Sequence, residues 1–205
     1  MSIGILGGTF DPVHIAHLII AEEARVKLGL EEVVFIPTGR PWLKANQQIS
    51  PARLRLEMAA LAVASNPYFR TSSIEIDRPG LTYTIDTIQA LRVEWGEEPE
   101  IHFILGMDAA RELHRWKEPR HILELCSLAV FARPEYEDIP LAEIEKIAPG
   151  SSKRIQFLRD PQIGVSGSEI RSRVMRGMPI RYLVPENIER FIQEKRLYRR
   201  EEADG

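Results

Sequence analysis

Ile3-Gly4-Ile5-Leu6-Gly7-Gly8-Thr9-Phe10-Asp11-Pro12-Val13-His14-Ile15-Ala16-His17 is the stretch from which the rest of the chain can be read. An apolar strand, Ile3–Leu6, runs into a glycine pair and then into two histidines at the start of a helical pattern. Histidines at i and i+3 share one helix face. Near a helix N-terminus they point the same way as the free backbone N–H groups, where the dipole favours anions. Gly7 and Gly8 carry no Cβ, so the backbone can approach a ligand closely. A phosphate group suits all three features. A blander reading makes Asp11 an N-cap and Pro12 the first helical residue. The run is not a G-x-G-x-x-G dinucleotide fingerprint, and no P-loop lysine follows it.

Outward from this stretch, short apolar runs alternate with helical patterns. Strands are expected at Ile3–Leu6, Val33–Ile36, Arg70–Ile74, Ile101–Leu105, Leu128–Ala132 and Ile155–Leu158. Helices are expected near Ile15–Leu28, Pro51–Ala64, Thr84–Trp95, Arg120–Leu125 and Leu141–Ile147, with further helix over Pro179–Leu197. In the first helix Ile15, Leu18, Ile19 and Val26 fall on one face and Glu22, Glu23, Arg25 and Lys27 on the wet one. Strands rich in Val, Ile and Leu without strict alternation suit a parallel sheet buried on both sides. The fold class is therefore α/β, a Rossmann-like doubly wound parallel sheet with a small C-terminal helical extension. Residues 1–205 are read as a single domain, with the α/β core over about residues 1–160 and the extension over about 161–198. Ligands of such sheets sit beyond the carboxyl ends of the strands, at the switch point. Gly7, Pro37, Gly106 and Arg133 follow strand ends, so their segments should converge there.

Composition narrows the classes. The chain of 205 residues is 44% hydrophobic and 28% charged, ordinary for a soluble globular protein. A net charge of −3 gives no support to nucleic-acid binding, which calls for a basic excess. The single Cys126 has no partner for an internal disulfide and reads as a small core residue. No basic n-region with an apolar stretch behind it, and no run of about 20 apolar residues, is present. A cytoplasmic protein with no membrane partner is expected, and whether it forms a homo-oligomer is left open.

Gly7-Gly8-Thr9-Phe10-Asp11-Pro12-x-His14-x-x-His17 resembles the signature of the nucleotidyltransferase superfamily that carries the (H/T)-x-G-H motif, with Ala16 in place of the usual glycine. Val165-Ser166-Gly167-Ser168-Glu169-Ile170-Arg171 is similar to that superfamily's second motif, I-S-S-T-x-I-R. Read locally, Ser166 and Glu169 form a capping box, and a capped N-terminus with spare donors is also an anion site. Arg171 adds a permanently charged fork suited to phosphate.

Segments in the middle of the chain resemble nicotinate-mononucleotide adenylyltransferases. Pro37-Thr38-Gly39-Arg40-Pro41-Trp42-Leu43-Lys44 resembles a Pro-rich loop ending in a phosphate-binding lysine, usually P-P-H-K. Thr82-Tyr83-Thr84-Ile85-Asp86-Thr87 resembles (S/T)-Y-T-x-D-T, and read locally Thr84 caps a helix. Phe103-Ile104-Leu105-Gly106-Met107-Asp108 with Leu113 and Trp116 resembles F-I-x-G-x-D…L…W, and Arg133-Pro134 the family's R-P.

The resemblance implies transfer of the adenylyl group of ATP to nicotinate mononucleotide, releasing pyrophosphate, with His14, His17, Lys44 and Arg171 as the catalytic groups. It implies ATP contacts from Gly7, Gly8, Thr9, Phe10, His14, His17, Gly106, Asp108, Arg133, Ser166, Ser168, Ile170 and Arg171. Mononucleotide contacts fall to Thr9, Lys44, Tyr83, Thr84, Asp108 and Trp116, with Trp116 stacking on the nicotinate ring. Mg²⁺ is expected with ATP, held through substrate phosphates and not by a protein metal site. A phosphopantetheine adenylyltransferase is the nearest alternative, but it lacks the Tyr83-Thr84 and Gly106–Trp116 segments. A non-catalytic nucleotide-binding module is the alternative of another class.

Overall fold

The computed structural model describes residues 1–42, 49–132 and 141–199. Six strands, β1 (Ser2–Gly8), β2 (Glu32–Pro37), β3 (Phe69–Thr71), β4 (Glu100–Gly106), β5 (Ser127–Phe131) and β6 (Ile155–Leu158), form one sheet in the order β3-β2-β1-β4-β5-β6. Every pairing is parallel. This is the doubly wound Rossmann order, whose switch point lies between the first and fourth strands. The sheet expected from the apolar runs is thus present, with β3 shorter than the Arg70–Ile74 run.

Parallel strands need helical crossovers, and those cover both faces. Alternate residues of each strand enter opposite cores. Ile3, Ile5, Val34, Ile36, Ile101 and Phe103 face one side with Ile85, Ile88 and Leu91 of helix α3 (Thr84–Trp95). Leu6, Val33, Phe35, Ile104 and Ala129 face the other with helices α1 (Ile15–Leu28) and α2 (Ala52–Val63). Short helices α4 (Met107–Arg111) and α5 (Pro119–Leu125) follow β4, and α6 (Leu141–Ile147) precedes β6. Cys126 is buried at the end of α5. Its thiol donates to the Ile122 carbonyl, and burial pushes its pKa up to about 12, so it is an inert core residue.

The carboxyl-terminal part is helix α7 (Gly167–Met175) and helix α8 (Glu186–Glu194). Helix was expected over all of Pro179–Leu197. It starts only after Pro185, because the Arg181↔Val184 bridge and the left-handed Tyr182 (φ 67°) give the preceding residues a turn instead. Ile170, Ile180, Val184, Ile188, Phe191 and Ile192 pack into the same core as Phe10, Val13 and Leu6. The extension is therefore fastened to the segment that follows β1.

Helix α1 has the expected bounds but not the expected buried face. Val26 is 63% exposed, and the fully buried positions are Ala21 and Ala24. The helix meets the sheet through small side chains, so a pattern read from its largest residues misplaces the contact. It ends where Gly29, at φ 63°, donates to the carbonyls of Arg25 and Val26. Ala24→Leu should therefore lower stability by about 1–3 kcal/mol through overpacking, while Val26→Ala should stay within about 0.5 kcal/mol. Denaturant midpoints of the two variants check both values.

Candidate active site

β1 ends at Gly8, and the chain then runs through a tight loop to helix α1. The N-cap of α1 is His14, in extended backbone, and not Asp11. Pro12 accordingly lies in the loop and not at the first helical position. Asp11 is free of capping because its side chain is engaged elsewhere. Its Oδ2 accepts the Ser50 N–H (3.1 Å), and its Oδ1 accepts the Tyr198 hydroxyl (2.6 Å). Its main-chain carbonyl accepts Arg171 Nη1 (2.6 Å). Asp11 thus joins the end of β1 to residues 39, 160 and 187 positions away.

The imidazoles of His14 and His17 stack, with centroids 3.7 Å apart and planes inclined by 22°. The edge of Phe10 meets His17 at 4.9 Å. His17 Nδ1 accepts the backbone N–H of His14 (3.2 Å). An imidazole nitrogen that accepts carries no proton, so the other nitrogen, Nε2, holds the N–H. His17 is therefore fixed as an Nε2 donor. Gly7 and Gly8 have a further reason to lack side chains. A Cβ would come within 3.1 Å of the Phe103 ring at Gly7 and within 3.0 Å of the Phe10 ring at Gly8.

The second phosphate-type segment lies beside the first. Ser166 caps α7 by accepting the Glu169 N–H (3.2 Å), which is the Ser166 half of the expected capping box, and Ser168 Oγ lies 3.4 Å from Ser166 Oγ. Ile170 is fully buried and anchors this helix end. A Cβ at Gly167 would sit 3.0 Å from the Asp11 carbonyl oxygen, so α7 approaches the loop as closely as glycine allows. Two helix N-termini, two imidazoles and one guanidinium thus gather beyond the end of β1. That set offers N–H donors and positive potential, the requirements of a polyphosphate.

The other half of the site lies across the switch point. Gly106 ends β4 and caps α4, and Asp108 occupies that helix's first turn. Trp116 packs edge-on against Phe103 at 6.0 Å. Its indole N–H is buried without a protein acceptor among the described residues, leaving a donor for a bound group. Tyr83, not Thr84, is the N-cap of α3, and no side chain caps that helix end. Thr84 is its first residue and is half-buried. Tyr83 lies 6.0 Å from Trp42 and beneath Lys117 Nζ (5.1 Å), which pairs with Asp86 (2.7 Å). Thr9 follows β1 directly. Lys44 and Arg133 lie outside the described residues.

Three groups not among the expected site residues hold these loops. Arg55 on α2 is 2% exposed and donates to the carbonyls of Thr9 (2.8 Å), Gly39 (3.0 Å) and Ser50 (2.9 Å). It lies on the face of Met58, Ala59 and Ala62, so a cation inside an apolar stripe was the available signal. Glu75 is buried, and its Oε1 accepts the Thr87 hydroxyl (2.8 Å), which in turn accepts Arg78 (2.8 Å). Its peptide lies against Gly39, where a Cβ would sit 2.2 Å from the Glu75 carbonyl oxygen. Tyr198 had no local signal.

Residues 5–173 match the cytidylyltransferase-like family, and the chain is a member of that class of nucleotidyltransferase-type folds. Within the class it belongs to the nicotinate-nucleotide adenylyltransferase family. A protein of Dehalococcoides mccartyi named "Probable nicotinate-nucleotide adenylyltransferase" is 44% identical over 97% of both chains. One of Herpetosiphon aurantiacus with the same name is 46% identical over 96% of this chain and 98% of its own. The Plasmodium falciparum nicotinic acid mononucleotide adenylyltransferase, solved complexed with NaAD, shares the fold at a TM-score of 0.79. Its sequence identity is 18%, over 96% of this chain and 97% of that one.

Burial is the main cause that raises Glu75, to about 7, opposed by the Thr87 hydroxyl, Arg78, the Gly39 N–H and Arg55. An unfolded glutamate releases its proton near 4.5. The folded state therefore keeps a proton that the unfolded state loses between these values. The stability this contributes is fully present below pH 4.5 and is lost as pH rises to about 7. Glu75→Gln should remove that slope, so its denaturant midpoint should gain on the wild type's across this range.

Proposed function

We propose that the protein transfers the adenylyl group of ATP to nicotinate mononucleotide, forming nicotinate adenine dinucleotide and pyrophosphate, a step in NAD biosynthesis. The observation that carries this reading is the stacked His14–His17 pair at the N-terminus of α1, with Arg171 and the α7 N-terminus set against the same loop. The names of the full-length relatives support the same substrate pair.

The acceptor is a phosphate monoester, largely dianionic at neutral pH with a second pKa near 6. It needs no general base and no covalent enzyme intermediate. Attack on the α-phosphate is direct and in line, and catalysis rests on positioning and charge stabilisation. His14 and His17 donate to the triphosphate as charge moves to the leaving pyrophosphate, with Arg171 and Lys44 neutralising the same oxygens. Gly7, Gly8, Thr9, Phe10, Ser166, Ser168 and Ile170 shape the triphosphate cradle, with Arg133 beside it. Asp108, near Gly106, holds a ribose. Trp116 stacks on the pyridine ring, and Tyr83 and Thr84 lie at its rim. N–H donors there satisfy a carboxylate but leave an amide NH₂ without an acceptor, which favours nicotinate over nicotinamide.

Among the described residues no cluster of His, Cys, Asp or Glu could hold a metal ion. The donors around the histidine pair are imidazole, guanidinium and backbone N–H, which hold phosphate oxygens. Mg²⁺ then comes with ATP, bound through its phosphates and water, and supplies charge neutralisation there. No helix among the described residues is long and apolar enough to cross a membrane. Use of ATP supports a cytoplasmic location, and the partners are these small molecules and not nucleic acid.

Pyrophosphate release with ATP and each candidate acceptor tests the reading. Nicotinate mononucleotide should be used, and turnover with phosphopantetheine alone would overturn it. His17→Ala should lower kcat/KM about 100-fold or more with the fold intact, and near-native turnover would remove His17 from the mechanism. Trp116→Ala should raise KM for the mononucleotide more than for ATP. Equal rises would argue against a stacking platform.

A further inference from the structure

The loop after β1 is held in a costly shape. Phe10 is a bulky residue at φ 50°, in the left-handed region. Such a backbone is strained and persists only where its surroundings over-determine it. Five hydrogen bonds from outside the loop do so. Arg55 holds the Thr9 carbonyl, Arg171 the Asp11 carbonyl, Ser50 the Asp11 Oδ2, Tyr198 the Asp11 Oδ1, and the Leu183 carbonyl accepts the Ile15 N–H (3.0 Å). Three of the five involve the carboxyl-terminal part, which brackets the loop at both ends through Arg171, Leu183 and Tyr198.

We propose that Tyr198 is a positioning residue for the phosphate site: its hydroxyl holds the Asp11 carboxylate away from Arg171 and so keeps that guanidinium available to substrate phosphate. The inference rests on the adenylyltransferase reading only in naming that phosphate as ATP's. Asp11 contacts Arg171 through its main chain while carrying a buried carboxylate of its own. A carboxylate beside an arginine pairs with it unless other donors hold its oxygens turned elsewhere. Here each oxygen is held by one such donor, Oδ2 by the Ser50 N–H and Oδ1 by the Tyr198 phenol. Burial first, and then the neighbouring Asp11 charge, raise the phenol pKa, opposed by the Ser50 hydroxyl and Arg171. Tyr198 therefore remains a donor at working pH. The chain turns through left-handed backbone at Arg196 (φ 51°) and at Tyr198 itself (φ 61°) to deliver it. The ring packs against the core shared with Phe10 and Val13, as a phenylalanine ring would. Only the hydroxyl reaches Asp11.

The test compares Tyr198→Phe, Asp11→Asn/Tyr198→Phe and Phe191→Leu in the full chain. In Tyr198→Phe, Asp11 Oδ1 loses its donor and the carboxylate competes with phosphate for Arg171. ATP affinity by calorimetry and kcat/KM for ATP should both fall about 10- to 100-fold. KM for nicotinate mononucleotide should stay within about twofold. The double variant removes the competing charge and should recover at least half of the loss on a logarithmic scale. Phe191→Leu should lower Tm without lowering kcat/KM. The proposal is overturned if Tyr198→Phe binds ATP like the wild type, if the double variant recovers nothing, or if Phe191→Leu loses as much as Tyr198→Phe. ATP binding that follows this pattern in a protein releasing no pyrophosphate would sink the adenylyltransferase reading and leave the role of Tyr198 standing.

Discussion

The guanidinium of Arg55 is the constraint on which the site depends. Two loops, the one after β1 and the connection from β2 to α2, turn three carbonyls toward it, those of Thr9, Gly39 and Ser50. Desolvation disfavours its charge, while Asp11, Tyr198 and Glu75 act in the opposite direction. A buried cation is retained only when its hydrogen bonds are satisfied. Here the satisfaction comes from backbone carbonyls, so the cation fixes loop geometry independently of loop side chains. Lysine could not do the same, because a point charge lacks the planar fork that reaches three acceptors at once.

Around that fixed point the charges are divided by purpose. Buried Arg55, Glu75 and Asp11 bind protein to protein, and the stacked histidine pair, with His14 also buried, sits at the α1 N-terminus beyond the end of β1. This division holds the donors of the site in a fixed orientation. His17 illustrates it. The backbone N–H of His14 occupies Nδ1 and so leaves the ring proton on Nε2. The orientation of this imidazole is thus written into the helix cap itself.

Much of this was legible in the sequence because it is local. The parallel sheet follows from unbroken Val, Ile and Leu runs, and β6, α1, α3 and α6 carry the expected limits. The histidine pair follows from i, i+3 spacing. What was not legible is long-range. Asp11 reads as an N-cap because an aspartate before proline at a helix start has that local preference. The pull of Ser50 and Tyr198 on its carboxylate overrides it. Thr84 was misplaced by one residue for a related reason: α3 begins at Thr84 itself, with Tyr83 held against Trp42 and Lys117. Val26 was misassigned because alanines, not the larger residues, meet the sheet. Periodicity counts hydrophobicity and is blind to how closely two elements approach.

The departures from the family motifs acquire physical reasons once these contacts are known. Gly167 stands where the motif has serine, and a Cβ there would lie 3.0 Å from the carbonyl that Arg171 grips. A glycine lets α7 come close enough for Arg171 Nη1 to reach Asp11 at 2.6 Å. Ala16, in place of glycine, is 7% exposed, so the first turn of α1 buries the added methyl. Trp42 replaces a residue of the Pro-rich loop and lies 6.0 Å from Tyr83, so the two rings form an aromatic pair at the start of α3. The site therefore varies where backbone contacts already fix its geometry, and keeps its residue types where a side chain must present a donor.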